Sequence, residues 1–152
     1  MRRTHRLLVS AALMAALLLP VSTVAAATTV TYQLSGTASA AIFPRVSMSG
    51  TARTRAKNES GQWSAVFSQD LGAILDGTFT LTSKARSFSG SITGGTFGPA
   101  TGGCTKSVIP VHGTVAGGGS FDVTVTRVGS LVNGSCVVSS SKVAGTATLA
   151  YP

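Results

Sequence analysis

Apolar and hydroxyl-bearing residues alternate along most of this chain, from residue 30 to the C-terminus. Alternation with a period of two places the apolar side chains on one face of an extended strand, and no competing helical period is present. The pattern therefore predicts an all-β protein. Eight strands joined by short connections are predicted, at residues 29–38, 45–56, 62–69, 77–83, 86–97, 105–115, 119–128 and 136–150.

Six Gly-Thr dipeptides lie within or beside these strands. Their spacing is irregular, at 14, 27, 18, 18 and 32 residues, which does not fit a solenoid with coils of constant length. Each glycine shares the parity of the neighbouring apolar residues, so we predict that the glycines face inward and the threonines outward. Inward glycines mark places where a sheet bends. These glycines are Gly36, Gly50, Gly77, Gly95, Gly113 and Gly145.

Two hairpins can be registered from the lengths of their loops. A three-residue Ala-Gly-Gly loop sets Phe121 opposite Gly113, and a four-residue loop sets Phe79 opposite Gly90. In both hairpins the register keeps the apolar residues on one face. A phenylalanine is thus predicted to cover a strand glycine in each, which protects a glycine that bends a sheet.

The order of strands and the inward glycines predict an antiparallel meander of about eight strands that forms a closed or nearly closed β-barrel. A two-sheet β-sandwich is the alternative. The general plan, an export signal followed by a compact eight-stranded barrel, looks like that of lipocalins, avidins and other small barrel carriers. This likeness concerns the fold and assigns no residue roles.

The first 27 residues have the features of a secretory signal peptide. Three arginines precede an apolar run at residues 7–19, and three alanines at residues 25–27 form a small-residue cleavage site. The apolar run is shorter than the roughly 20 residues that span a bilayer. We therefore predict that residues 1–27 are removed and that residues 28–152 form one secreted or extracytoplasmic domain, extracellular or periplasmic, with no membrane span.

Cys104 and Cys136 are the only cysteines, and an oxidising compartment favours a disulfide between them. They lie at the starts of the sixth and eighth predicted strands, which are not neighbours in a meander. Two inter-strand steps measure about 9.6 Å, more than the roughly 7 Å that separates bridged Cα atoms. Loop residues must therefore fold over this end of the barrel to make the bridge.

The chain offers little for catalysis or metal binding. Cleavage of the signal would leave one histidine, His112, which the predicted register places opposite Asp122 on the outer face. A cross-strand ion pair accounts for this arrangement without a catalytic triad. Asp70 and Asp76 are predicted in loops flanking an apolar segment, residues 71–75, that either plugs the barrel end or forms part of a ligand mouth. We predict no enzyme, no cofactor and no metal site.

Two functional hypotheses follow from the faces of the predicted barrel. In the first, a secreted, non-enzymatic barrel binds a small apolar ligand in its interior or mouth; a closed, packed core is the alternative for the same residues. Six aromatic residues are predicted to line that interior: Tyr32, Trp63, Phe67, Phe79, Phe88 and Phe121.

In the second hypothesis, a basic and threonine-rich outer face contacts a cell wall or an anionic surface polymer. Arg53, Arg55 and Lys57 alternate along one strand and share its outer face. Removal of the three signal arginines leaves nine Lys and Arg residues against four acids, a net charge of +5. No aromatic residues alternate with the stripe, so the sequence carries no specific nucleic-acid signal. It also indicates no oligomeric state.

Overall fold

The computed structural model describes residues 27–39, 43–54 and 59–152, and among these it contains nine strands and no α-helix. The predicted all-β fold is confirmed. The predicted signal lies outside the described residues except for Ala27. The strands are β1 (Thr28–Ala38), β2 (Arg45–Arg53), β3 (Gly61–Asp70), β4 (Ala73–Ser83), β5 (Ser87–Phe97), β6 (Thr101–Gly102), β7 (Ser107–Val115), β8 (Gly119–Val132) and β9 (Ser135–Tyr151).

Eight of the described strands form a closed antiparallel barrel. They follow the order β5-β4-β3-β2-β1-β9-β8-β7, and pairing between β5 and β7 closes the sheet. The two-residue strand β6, which the sequence did not reveal, pairs with the beginning of β7 outside this closed set. The barrel prediction is confirmed, and the sandwich alternative is wrong because one continuous sheet closes on itself.

Both predicted hairpin registers are confirmed, with Phe121 opposite Gly113 and Phe79 opposite Gly90. The Phe121 ring covers Gly113, since a Cβ built on that glycine would overlap the ring carbons. At Gly90 the nearest atoms are the carbonyl oxygen of Ala116 and a methyl group of Val115, followed by the ring of Phe88. The register thus places Phe79 correctly, but Phe79 is not the side chain closest to Gly90.

The inward glycines allow strands to approach each other more closely than any side chain would permit. Gly36 and Gly50 lie directly opposite each other on β1 and β2. A Cβ on Gly50 would overlap the carbonyl oxygen of Ser35. Trp63 on β3 lies opposite Gly50, and its Nε1 donates a hydrogen bond across β2 to that same carbonyl at 3.2 Å. The missing side chain of Gly50 therefore leaves room for the indole.

Aromatic rings fill the barrel interior in a continuous series. The ring of Trp63 stacks on that of Phe79 at 6.2 Å between centroids, and Phe79 stacks on Phe121 at 5.5 Å. Phe67 lies 6.4 Å from Phe121 and 6.2 Å from Phe97. All five side chains are buried. Small inward residues on neighbouring strands accommodate these rings, which is the usual way to fill a small barrel.

The hairpin between β3 and β4 differs from its prediction. Asp70 and Asp76 lie in strands rather than in loops, because β3 continues to Asp70 and β4 begins at Ala73. The pairing shifts by one residue along β4, which leaves Leu75 as an extra residue without a cross-strand partner. This bulge reverses the inward parity between Ile74 and the later residues of β4, so the alternation breaks there.

The disulfide joins two segments that β8 separates. Cys104 lies in the connection between β6 and β7, and Cys136 lies near the beginning of β9, with their Cα atoms 5.6 Å apart. The carbonyl oxygen of Cys104 lies close above Gly129 of β8. The predicted bridge is present and a connection does supply one of its cysteines, Cys104, whereas Cys136 lies within β9.

We expect Gly50→Ala to lower the free energy of unfolding by about 3 kcal/mol or more, because the new methyl group meets backbone atoms that cannot move aside. Gly103→Ala is the matched control, since a Cβ there has no neighbour within 4 Å. Urea unfolding of the two variants measures the difference. Equal stability of the two would contradict the close approach of β1 and β2.

The double variant Cys104→Ala/Cys136→Ala is expected to lose roughly 3 to 4 kcal/mol of unfolding free energy, as the bridge closes a long loop in the unfolded chain. The barrel itself should persist, because neither cysteine belongs to its buried core. Thermal unfolding followed by circular dichroism tests both statements. A fully unfolded double variant would show that the bridge is needed to form the barrel.

Candidate functional site

The barrel has two ends of different chemical character. We call the mouth the end at which β1, β3, β5 and β8 finish and β2, β4, β7 and β9 begin. The base is the opposite end, which carries the N-terminus of β1 and the C-terminus of β9. The antiparallel order of the strands decides which connections share an end, so residues far apart in the sequence meet at each.

Within the described residues, every large apolar side chain that is exposed lies at the mouth. One belongs to the connection between β1 and β2, two to the β3–β4 hairpin and four to the β8–β9 hairpin. The β8–β9 hairpin is the longest and extends past the last β7–β8 pair, Ser107 with Arg127. We call these seven residues the apolar rim: Phe43, Leu71, Leu75, Val128, Leu131, Val132 and Val137.

An open cleft of about 370 Å³, the mouth cleft, lies between the β3–β4 turn and the segment that follows β5. Its apolar lining includes the buried side chains of Phe97 and Ile109. Leu71 and Ala100 contribute to its edges, and the buried Gln69 supplies a polar side chain. The backbone N–H of Phe97 donates to the carbonyl of Gly72 at 2.7 Å, which fixes the turn against the end of β5.

A second open cleft of about 370 Å³ lies at the mouth between the end of β1 and the beginning of β9. Ala38 and Val138 provide apolar lining, and Lys142 lies at its edge. Ser141 also lines this cleft and is only 7% exposed, yet its hydroxyl has no hydrogen-bond partner among the described residues. A buried hydroxyl without a partner is costly, so this cleft offers one unused polar group.

The six aromatic residues predicted to line a ligand cavity lie in the packed interior. Tyr32, Trp63, Phe67, Phe79 and Phe121 are each at most 2% exposed, and Phe88 is half-buried. Five of the six contact another aromatic ring of the interior at centroid distances between 5.5 and 6.4 Å. The sixth, Tyr32, pairs through its hydroxyl with that of Tyr151 at 3.1 Å.

A polar and aromatic cluster closes the base. The guanidinium of Arg86 lies 4.7 Å from the ring centroid of Tyr151 and forms a 2.6 Å ion pair with Glu59. Burial raises the pKa of the Tyr151 hydroxyl well above its usual value, and the hydrogen bond with Tyr32 raises it further. Arg86 acts in the opposite direction without reversing the shift. The cluster therefore stabilises neutral Tyr151.

The structure describes only part of the predicted basic stripe. Arg53 is the last residue of β2, is exposed at the base and lines an open depression beside Glu59. Arg55 and Lys57 lie outside the described residues. The proposed contact of the stripe with an anionic polymer stays a prediction.

His112 and Asp122 form the predicted cross-strand pair, with Nδ1 and Oδ1 2.5 Å apart. Both side chains are exposed, at 47% and 64%. The hydroxyl of Thr114, a neighbour on the same face, bonds to Gly94 and Thr93 instead of the imidazole. The pair lies on the open outer wall. Among the described contacts of the His112 imidazole, none is with a hydroxyl group.

The described residues contain no group of three or more His, Cys, Asp or Glu side chains arranged to hold a metal ion. Nor does any helix among them have the length and apolar character needed to cross a membrane. Comparisons with protein-family models, with curated proteins and with solved structures find no match to this chain.

The apolar rim was missed at the sequence level, apart from the segment at residues 71–75. A local signal exists in two places, where polar residues are usual: Leu71 is the first residue of the tight turn Leu71-Gly72, and Val132 directly precedes the tight turn Asn133-Gly134. Phe43 and Val137 carry no such signal: Phe43 lies in the connection between β1 and β2, and Val137 lies within β9.

We expect the unfolding free energy to fall as the pH rises above about 10, where the tyrosines of the unfolded chain ionise but Tyr151 of the folded protein stays neutral. Because the pKa of Tyr151 is higher in the folded protein than in the unfolded chain, the neutral hydroxyl contributes stability below that pH. This contribution is lost as the pH rises above it. Tyr151→Phe should reduce stability at neutral pH by about 1 kcal/mol, because the Tyr32 hydroxyl loses its partner. The variant should also show a weaker alkaline decline in urea unfolding. An equally steep decline would contradict the assignment to Tyr151.

Proposed function

We propose that this chain is an exported, non-enzymatic binding protein that holds a small apolar molecule in the mouth cleft. One observation carries the proposal: all the exposed large apolar side chains of the described residues surround the end that contains this cleft. Sites for small ligands are concave, mainly apolar and roughly 300 to 1,000 Å³ in volume, with a few polar groups. The mouth cleft has these properties, with Gln69 as its polar side chain.

The packing of the interior favours the mouth over the barrel centre as the binding site. Trp63, Phe79 and Phe121 stack on one another there, and a ligand would have to displace them. Phe97 and Ile109 are held rigidly in the same core and form the inner surface of the mouth cleft. A ligand in the cleft would extend the core outward without opening the barrel.

Two further observations support the parts of the proposal that concern export and a non-enzymatic role. The bridge between Cys104 and Cys136 fits an oxidising compartment, in agreement with the predicted export signal. The exposure of both side chains of the His112–Asp122 pair favours a structural role for that pair, because the open depression that they line does not exclude water.

Binding of the uncharged fluorescent probe N-phenylnaphthylamine tests the site. Ala100→Trp places a bulky ring in the mouth cleft and should weaken probe binding about tenfold or more. Ala116→Trp adds the same ring to an exposed alanine at the base and should leave binding unchanged. Equal binding by the two variants, or no binding by the wild-type protein, would overturn the mouth cleft as a ligand site.

Native mass spectrometry of protein purified from its producing cells addresses the natural ligand. We expect an additional mass at a one-to-one ratio that is lost from Ala100→Trp and retained by Ala116→Trp. A mass retained by both variants would place the ligand elsewhere, and the absence of any added mass would contradict the carrier role.

A further inference from the structure

We propose that the apolar rim docks end-on onto an anionic lipid surface. This inference concerns the rim and its cations, and it does not require a ligand in the mouth cleft. Three connections around the mouth each present apolar side chains: Phe43 lies between β1 and β2, Leu71 between β3 and β4, and Leu131 on the β8–β9 hairpin. A flat surface that approaches this end of the barrel contacts all three connections at once. A partner that binds in a groove would instead need the apolar residues to lie together on one side of the barrel.

Leu71 is the most informative residue of the rim. It occupies the first central position of a two-residue turn with a φ of 46°, in the left-handed region that leucine seldom adopts. The same side chain is 98% exposed. The turn Asn133-Gly134 has the same signs of φ, at 51° and 78°, and carries the residue pair that favours this conformation.

Leucine at position 71 therefore opposes folding in two ways, through its backbone conformation and through its exposed apolar surface. Neither cost is recovered inside the molecule, because the side chain contacts water on nearly all sides. Strained residues that persist in a fold are typical of binding and functional sites. Insertion of this side chain into the interfacial layer of a bilayer would recover the second cost.

Charge favours an anionic lipid surface over an uncharged apolar partner. In the described part of the chain, four cations lie in strands or connections at the mouth. Arg45, Lys106 and Lys142 are exposed, and Arg127 is half-buried. Two acids lie at the same end, Asp70 and Asp76, and Asp76 accepts a hydrogen bond from Ser68. Cations flanking inserted apolar side chains interact with anionic headgroups.

The outer wall shows that the apolar surface is limited to the mouth. Pairs of hydroxyl groups bridge neighbouring strands along the wall, as between Ser64 and Thr80 at 2.8 Å and between Thr93 and Thr114 at 3.1 Å. A wall of this kind favours water. Contact with lipid would therefore be shallow and limited to the mouth, with the barrel axis perpendicular to the membrane surface.

The disulfide prepares the rim for docking. Cys136 lies directly opposite Leu131 on the β8–β9 hairpin, and its bridge to Cys104 ties this hairpin to the connection that carries Lys106. An apolar side chain and a cation are thus held at fixed relative positions before binding. Preorganisation of this kind lowers the entropy lost on association.

Co-sedimentation of the disulfide-bonded protein with vesicles tests the apolar contribution. The vesicles contain phosphatidylcholine alone or with phosphatidylglycerol as the anionic lipid. Leu71→Asn should raise the thermal midpoint, since asparagine suits the turn, and should lower the partition coefficient on anionic vesicles about tenfold. Ala116→Asn at the base is the control and should leave partition unchanged. A lower thermal midpoint for Leu71→Asn would show that Leu71 serves the fold and would overturn the proposal.

Three further double variants separate the rim from the mouth cleft and from general charge. Phe43→Ser/Leu131→Ser lies outside the mouth cleft and should lower vesicle partition about tenfold or more without altering probe binding. Arg45→Gln/Lys106→Gln should weaken binding to anionic vesicles and the salt dependence of that binding. Arg53→Gln/Lys84→Gln removes two exposed cations from the base and should do neither.

Several outcomes would overturn lipid docking while leaving the proposed ligand site intact. These are equal partition on neutral and anionic vesicles, no partition on either, and equal effects of the mouth and base charge variants. Sedimentation velocity tests whether the rim instead binds a second copy of this chain. Self-association that Leu71→Asn abolishes, in the absence of vesicle binding, would assign the rim to that role and overturn lipid docking. Loss of probe binding from Ala100→Trp with unchanged vesicle partition would support the rim and cleft as separate sites.

Discussion

The close approach of strands at inward glycines is the constraint on which the rest of the barrel depends. At Gly50 the backbones of β1 and β2 leave no room for a methyl group, and the indole of Trp63 crosses β2 at this point to reach the Ser35 carbonyl. The absence of a side chain at Gly113 likewise leaves room for the ring of Phe121. Glycine thus bends the sheet and also provides the space that large rings need, so closure and interior packing depend on the same positions.

Packed side chains fill the barrel interior, and the two ends of the barrel are built differently. At the base, Arg86 connects Glu59 to the ring of Tyr151, whose hydroxyl reaches Tyr32 in the core. At the mouth, the connections project apolar side chains outward, and a cleft extends to the buried Phe97. The rigid core thus supports the mouth cleft from below, while the mouth retains surface that the fold itself does not use.

Leu71 shows how the mouth differs from the rest of the fold. The tight turn at Asn133-Gly134 carries the residues that favour its conformation. Leu71 disagrees with its turn and with its exposure together. Local disagreement of this kind is expected at functional positions, because contacts outside the chain provide the compensation.

The strand positions and two hairpin registers were predictable because alternation and loop length are local properties. The Phe121–Gly113 pair follows from counting across a three-residue loop. The bulge at Leu75 was not predictable, since it shifts the parity of β4 and makes a strand resemble a loop. Strand β6 was also missed, because its two residues have no alternation and pair only through the nearby beginning of β7.

For the candidate site, the six interior aromatics were identified correctly as inward-facing, while their packing against one another was one of two open alternatives. The sequence by itself determined the all-β class, the direction of the glycines and the cysteine partners, because these depend on periodicity, parity and composition. Only the tertiary structure decided that the interior is filled and that the exposed apolar residues gather at the mouth. Both depend on which distant residues the closed antiparallel order brings together, and no local pattern records that order.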